Sequence, residues 1–293
     1  MDVVKSMSLA HNILTTKDEK FRTPYMYARS QISRFFKQTT RNDVYLRLVI
    51  IDSLYSTQMS KNMFGLDCLS ESIKRLGDDE CLKKKVLCFL KGEKDGKCIK
   101  DLLDGTYGRS KAAKTEDDRI AAGSLISKYL YFLMDYQFPI IDSFVKKYVL
   151  TLFTTSQSVR DYLKGKSSKT KRVNDNEKLI KLLVNIKNEF SESEASYEKM
   201  DNLLWLTGKI RKGALSLIVQ EKWYCEIEKL IRNPDFEKKL NESKKSSKSS
   251  MIDDLFSKEL SNADTIDKLT RKGFISKDLS KFLNEIKDIE KIE

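Results

Sequence analysis

Among 293 residues the chain has one histidine, His11. A histidine-rich metal centre or a Ser-His-Asp triad is therefore excluded unless it uses that N-terminal ring. The five cysteines, Cys68, Cys81, Cys88, Cys98 and Cys225, are odd in number and form no CxxC pair. That speaks against a disulfide framework, a structural zinc site and an iron–sulfur cluster, and for a reducing, cytoplasmic location. No apolar run approaches the ~20 residues that cross a bilayer, and the start MDVVKSMSLAHNIL lacks a signal-peptide core. No membrane partner is expected. Neither GxxxxGK[ST] nor a GxGxxG after a strand occurs, and no alternating run is bounded by a hairpin turn. Catalysis, if present, rests on carboxylates, lysines, tyrosines or a cysteine. No cofactor and no metal are expected.

With only 3 prolines and 11 glycines, and 33% charged residues, the composition predicts an all-α protein. Lys and Arg number 55 against 43 acids, a formal net charge of +12. Such an excess points towards a polyanion, double-stranded DNA foremost, although a generally lysine-rich proteome gives the same balance.

The best-organised stretch runs from Asp118 to Phe153. Ala122, Leu125, Ile126, Tyr129, Leu130 and Leu133 recur at steps of three and four, which predicts a helix over Arg119 to Asp135. Ser124, Lys128, Tyr131 and Asp135 form its second face. Pro139 breaks the pattern, and an apolar run restarts behind Asp142, a residue type that caps helix N-termini. An Asp there is an ordinary cap or, if ionised in a buried setting, a catalytic base or charge stabiliser.

Residues 1–40 interleave aromatic with basic residues, as a packed arm or a base-stacking segment would. Asn42 and Asp43 open a helix that is apolar nearly all round and contains Asp52. Helices follow around Cys68 to Arg75 and from Asp78 to Gly92, and residues 92–114 read as a basic loop. A second basic loop carries Lys164, Lys166, Lys169, Lys171 and Arg172 without an acid. Helical patterns resume from Leu179 to Phe190, around Asn202 to Gly208 and from Ala214 to Ile231. The expected division is an N-terminal arm (1–40), a helical domain (41–240), a flexible linker (241–250, NESKKSSKSS) and a C-terminal helical segment (251–293).

Two stretches together resemble the helix-hairpin-helix DNA glycosylases, the endonuclease III and oxoguanine glycosylase group. Leu54-Tyr55-Ser56-Thr57-Gln58 is similar to the family's L-x-S-x-Q motif, whose last residue reaches into the duplex. Phe138-Pro139-Ile140-Ile141-Asp142, 84 residues after Gln58, resembles the V-P-V-D turn whose Asp begins a helix, with P-x-x-D in place of P-x-D. Leu103 to Gly108 stands in for the family's glycine hairpin, displaced upstream. The S-K-Y-L-x-F and F-P-I-x-D patterns also resemble those of bacterial all-α proteins. The resemblance covers residues 40 to 210. It implies removal of flipped-out bases, with Asp142 stabilising charge on the sugar and a lysine, Lys111 or Lys128, as nucleophile. It implies DNA contacts from Gln58, Arg109, Lys111, Lys166, Lys169, Lys171 and Arg172. The alternatives are a non-enzymatic all-α scaffold that binds DNA, with Asp142 only a cap, and a protein-interaction scaffold.

Overall fold

A computed structural model describes residues 1–55, 65–109, 119–166, 172–211, 219–223, 226–227 and 262–286. The fold is all-α, with one short two-stranded sheet among the described residues. By its internal contacts the chain divides into two compact units, Ala28–Asp201, and Met1–Tyr27 together with Asn202–Glu293.

In the unit Ala28–Asp201, α2 (Pro24–Gln38) leads through a 3-10 turn to α3 (Val44–Tyr55). Then come α4 (Leu66–Arg75), α5 (Asp79–Lys91), a second 3-10 turn (Lys94–Gly96) and α6 (Lys97–Asp104). Strands β1 (Thr106–Arg109) and β2 (Arg119–Ala121) pair antiparallel before α7 (Gly123–Leu133). The unit continues with α8 (Ser143–Leu152), α9 (Gln157–Leu163), α10 (Asn176–Asn188) and the first residues of α11 (Tyr197–Arg211). Helix starts follow local chemistry. Asp78 accepts from the Cys81 N–H at 2.8 Å, Asp175 from Lys178 at 2.9 Å and Ser156 from Val159 at 3.3 Å, each filling an orphan donor of the first turn.

Helix α7 is the centre of this unit and packs against α3, α5 and α6. It is buried on every side from Leu125 to Leu133, so the face of Lys128 and Tyr131 is covered, not solvated. The helix expected from Arg119 starts at Gly123 instead. Ladder pairing with β1 takes Arg119–Ala121 out of the helix, and Asn176 and the Leu103 carbonyl close in on Gly123. Residues 92–114, expected as loop, contain α6. Its Ile99, Leu102 and Leu103 form one buried face at steps of three and four. The all-round apolar α3 buries Val44, Leu48, Ile51 and Asp52 but leaves Tyr45, Leu46 and Leu54 exposed.

Arg47 is the largest fully buried polar side chain of α3. Its guanidinium donates to both Asp79 carboxylate oxygens (3.0 and 2.9 Å), to Thr39 Oγ1 (2.9 Å) and to the Phe36 and Thr39 carbonyls. A buried charge is tolerated when its donors are satisfied, and here one side chain ties the end of α2 to the start of α5. Burial pushes the neighbouring Tyr129 hydroxyl up to about 12, against the pull of Arg47.

The other unit contains α1 (Val3–Leu14), α12 (Ala263–Arg271) and α13 (Lys277–Ile286). Residues 1–40, expected as an arm, are therefore largely the helices α1 and α2. Along α1, Val3, Met7, Ala10 and Leu14 form a buried stripe; the helix packs on α13, and Lys5 pairs with Glu285 across that contact. Gly273, at φ +71°, turns the chain from α12 into α13, and Phe274 lies 5.1 Å from the Trp223 ring. The His11 ring meets the Asn202 amide at 3.1 Å. The linker 241–250 and most of the expected helix from Ala214 to Ile231 lie outside the described residues. No helix among the described residues is long and apolar enough to cross a membrane.

Candidate functional site

The site is built where α7 hands over to α8. Helix α7 stops at Leu133, and Asp135 and Tyr136 turn the chain with φ of 47° and 70°. Non-glycine residues adopt that region at a cost, offset here by the Tyr136 N–H bond to the Tyr131 carbonyl (2.8 Å) and by ring packing on Tyr131 and Phe132. Pro139 keeps the following segment extended. Ser127 Oγ then accepts from the Ile141 N–H at 3.1 Å, fixing the residue before Asp142.

Asp142 caps α8. Its Oδ1 accepts from the N–H groups of Phe144 (2.9 Å) and Val145 (3.0 Å), and its Oδ2 stands 3.9 Å from Lys128 Nζ. The two oxygens thus have separate tasks, one structural and one facing a cation. Lys128 is 4% exposed and Asp142 14%. The ammonium donates to Ser124 Oγ at 2.7 Å, one turn earlier on α7, and sits 5.4 Å from the centre of the Tyr55 ring.

Behind this pair lies a second buried pair. Asp201 Oδ2 accepts from Arg29 at 3.1 Å, and Arg29 also donates to the Tyr131 hydroxyl. Burial lowers the Lys128 pKa, with Asp142 and then Asp201 working against the shift. Burial raises the Asp201 carboxyl to about 6, Arg29 and Lys128 holding it down and Asp142 pushing it up. It raises the Tyr131 hydroxyl well above its ordinary value, against Arg29. The result is a low-dielectric cluster in which a lysine of lowered pKa stands beside a carboxylate held on a helix start.

Of the residues singled out in the sequence, Lys128 and Asp142 come together. Gln58, Lys111, Lys169 and Lys171 lie outside the described residues. Arg109 is in β1, opposite Arg119. Lys166 is exposed, its ammonium 3.0 Å from the centre of the Tyr162 ring, and Arg172 is exposed. Arg172 and, more strongly, partial burial lower the Lys146 pKa on α8.

Sequence reasoning missed Arg29, Ser127 and Asp201. Asp201 left a signal, because Tyr197, Asp201 and Leu204 share one face of α11 and an acid on an apolar face needs a buried partner. Arg29 left none, standing among other basic residues of an apparently solvated stretch.

Among the described residues, no group of three or more His, Cys, Asp or Glu is arranged to hold a metal. A cavity of about 520 Å³ between α5 and α10 shares no lining residue with the Lys128 cluster. No protein-family model, no curated protein and no solved structure matches this chain.

Proposed function

We propose that the chain is a DNA base-excision enzyme of the glycosylase type, with Lys128 as nucleophile and Asp142 as the stabilising carboxylate. The observation that carries this reading is the buried approach of Lys128 Nζ to the carboxylate that caps α8. A neutral amine can attack a sugar carbon, and burial favours the neutral form of Lys128. The order of parts is also that of the family resembled: a helix, a hairpin, a helix with the lysine, an extended turn, and an Asp at the next helix start. The net charge of +12 suits a DNA partner.

In this mechanism the target nucleotide leaves the stack, at a cost of a few kcal/mol offset by pocket contacts. The Lys128 nitrogen bonds to C1′ while the C1′–N bond to the base breaks, and the base departs with the electron pair and takes a proton from water. Asp142 stabilises the positive charge that develops on the sugar and accepts the proton shed by the amine. The C1′–O4′ bond then opens, O4′ takes a proton, and an imine joins C1′ to Lys128.

Borohydride reduces such an imine to a stable protein–DNA adduct, which is the test. Duplexes carrying uracil, oxidised, alkylated or abasic sites are incubated with the parent, Lys128→Gln and Asp142→Asn in the presence of borohydride. The reading requires an adduct with the parent, none with Lys128→Gln, and base release reduced ~10²-fold or more in Asp142→Asn. Absence of both adduct and base release on every duplex would leave Lys128 and Asp142 as a structural ion pair in a non-enzymatic scaffold. The small exposure of the Lys128 side chain favours that second reading.

A further inference from the structure

The cavity of about 520 Å³ lies within the unit Ala28–Asp201, bounded by the end of α5, the 3-10 turn Lys94–Gly96, the start of α6 and one face of α10. Its volume is that of a small-molecule site. Two kinds of surface meet in it. Phe89 and Leu90 from α5 and Ile180 and Val184 from α10 give an apolar floor, and three of them, Phe89, Leu90 and Val184, are only half-buried. Half-buried apolar groups on a concave wall gain by being covered.

The rim is cationic. Five lysines line the cavity against two glutamates. Lys100 and Lys181 are already neutralised, Lys100 by Asp104 (2.7 Å) and Glu177 (3.7 Å), and Lys181 by Glu177 (2.7 Å). Lys91, Lys94 and Lys97 are exposed, and their ammonium groups make no hydrogen bond or ion pair among the described residues. Glu93 is the one remaining acid of the lining, so the three lysines leave the rim net positive. Three such lysines lining one mouth suit a compact anion of more than one charge. A lone carboxylate is matched better by the planar fork of arginine, whereas lysine binds phosphate as a point charge.

The mouth is also held rigidly. A Cβ on Gly96 would stand 2.2 Å from the Phe89 backbone, so the 3-10 turn is seated directly on α5 with no room to shift. The backbone that carries Lys94 and Lys97 is thereby held close to Phe89.

We propose that this cavity binds a small phosphorylated ligand with a flat apolar body, a mononucleotide being the simplest of that class. The body covers Phe89 and Val184, and the phosphate sits among Lys91, Lys94 and Lys97. The proposal does not depend on the chemistry at Lys128.

The probe is adenosine monophosphate, titrated into the full chain by calorimetry and by the shift in melting temperature, with adenosine and inorganic phosphate in parallel. The expected result is saturable binding of the nucleotide, at least tenfold weaker binding of either half alone, and at least tenfold loss of nucleotide affinity in Lys94→Gln/Lys97→Gln. Those side chains are exposed, so the variant should melt with the parent. Val184→Trp, which fills the floor, should abolish binding while keeping all three lysines. Failure of the nucleotide to bind, or binding unchanged by both variants, overturns the proposal. Competition by short duplex DNA that is itself lost in the lysine variant would also overturn it, assigning the rim to a nucleic-acid backbone.

Discussion

Ser127 Oγ accepts the Ile141 N–H at 3.1 Å and donates to the Ser124 carbonyl at 3.0 Å. The hydroxyl sits beside Lys128 in sequence and holds the residue next to Asp142, so one small side chain sets the spacing of the pair. Ser127→Ala leaves a buried N–H without that acceptor, which costs about 1–3 kcal/mol. The expected outcome is a lower melting temperature together with reduced activity on any substrate that depends on Asp142. Ser127→Thr, which keeps the hydroxyl, should recover part of both.

Asp142 separates its roles by substitution. Asn caps about as well as Asp, while Ala loses the bonds to Phe144 and Val145. Denaturant unfolding should place Asp142→Ala about 1 kcal/mol below Asp142→Asn in stability. If the carboxylate acts on a charged transition state, both variants lose base release alike, and a difference in activity that merely follows stability would count against that role.

Asp201 makes a pH signature. In the folded chain its carboxyl titrates at about 6, against about 4 for an unfolded aspartate, so the folded state holds this proton more tightly. Its contribution to stability is therefore complete below pH ~4 and is lost as pH rises through 6. Melting temperatures measured from pH 3.5 to 7.5 should show the parent losing ground to Asp201→Asn across that window. Parallel curves would mean that Asp201 is not held in its protonated form.

Two glycines of the α5–α6 connection should respond very differently to alanine. At Gly96 the added Cβ meets the backbone of Phe89 at 2.2 Å, and overpacking against backbone costs about 3 kcal/mol or more. Gly92, at φ +76°, has nothing within 4 Å of its added Cβ, so only the left-handed backbone is penalised, by about 1–2 kcal/mol. Chemical denaturation of the two variants checks the order.

Elements with a local cause were legible in the sequence. The caps at Asp78 and Asp142, the stop at Gly92 and the stripe of α10 all follow from residues within a turn of each other. The proximity of Lys128 to Asp142 was also within reach, because a proline-stiffened turn of fixed length joins their helices. What surrounds them was not. A period of 3.6 gave α7 a polar face but not what covers it, and the cover includes Arg29, 102 residues from Tyr131 in the chain, and Asp201, 172 residues from Arg29. Arg119 and Ile120 were expected inside the same helix, but strand pairing with Arg109 and Gly108 took them out of it. Burial decided by distant segments leaves no mark in a local pattern.

The packing of α1 on α13 has a consequence for synthesis. Lys277 leaves the ribosome 263 residues after Leu14, which at roughly 5–20 residues per second is a delay of tens of seconds. The unit Ala28–Asp201 is continuous and can close while translation proceeds. The apolar stripe of Met7, Ala10 and Leu14 must meanwhile wait without its mate, and in that interval it is a natural binding segment for a chaperone.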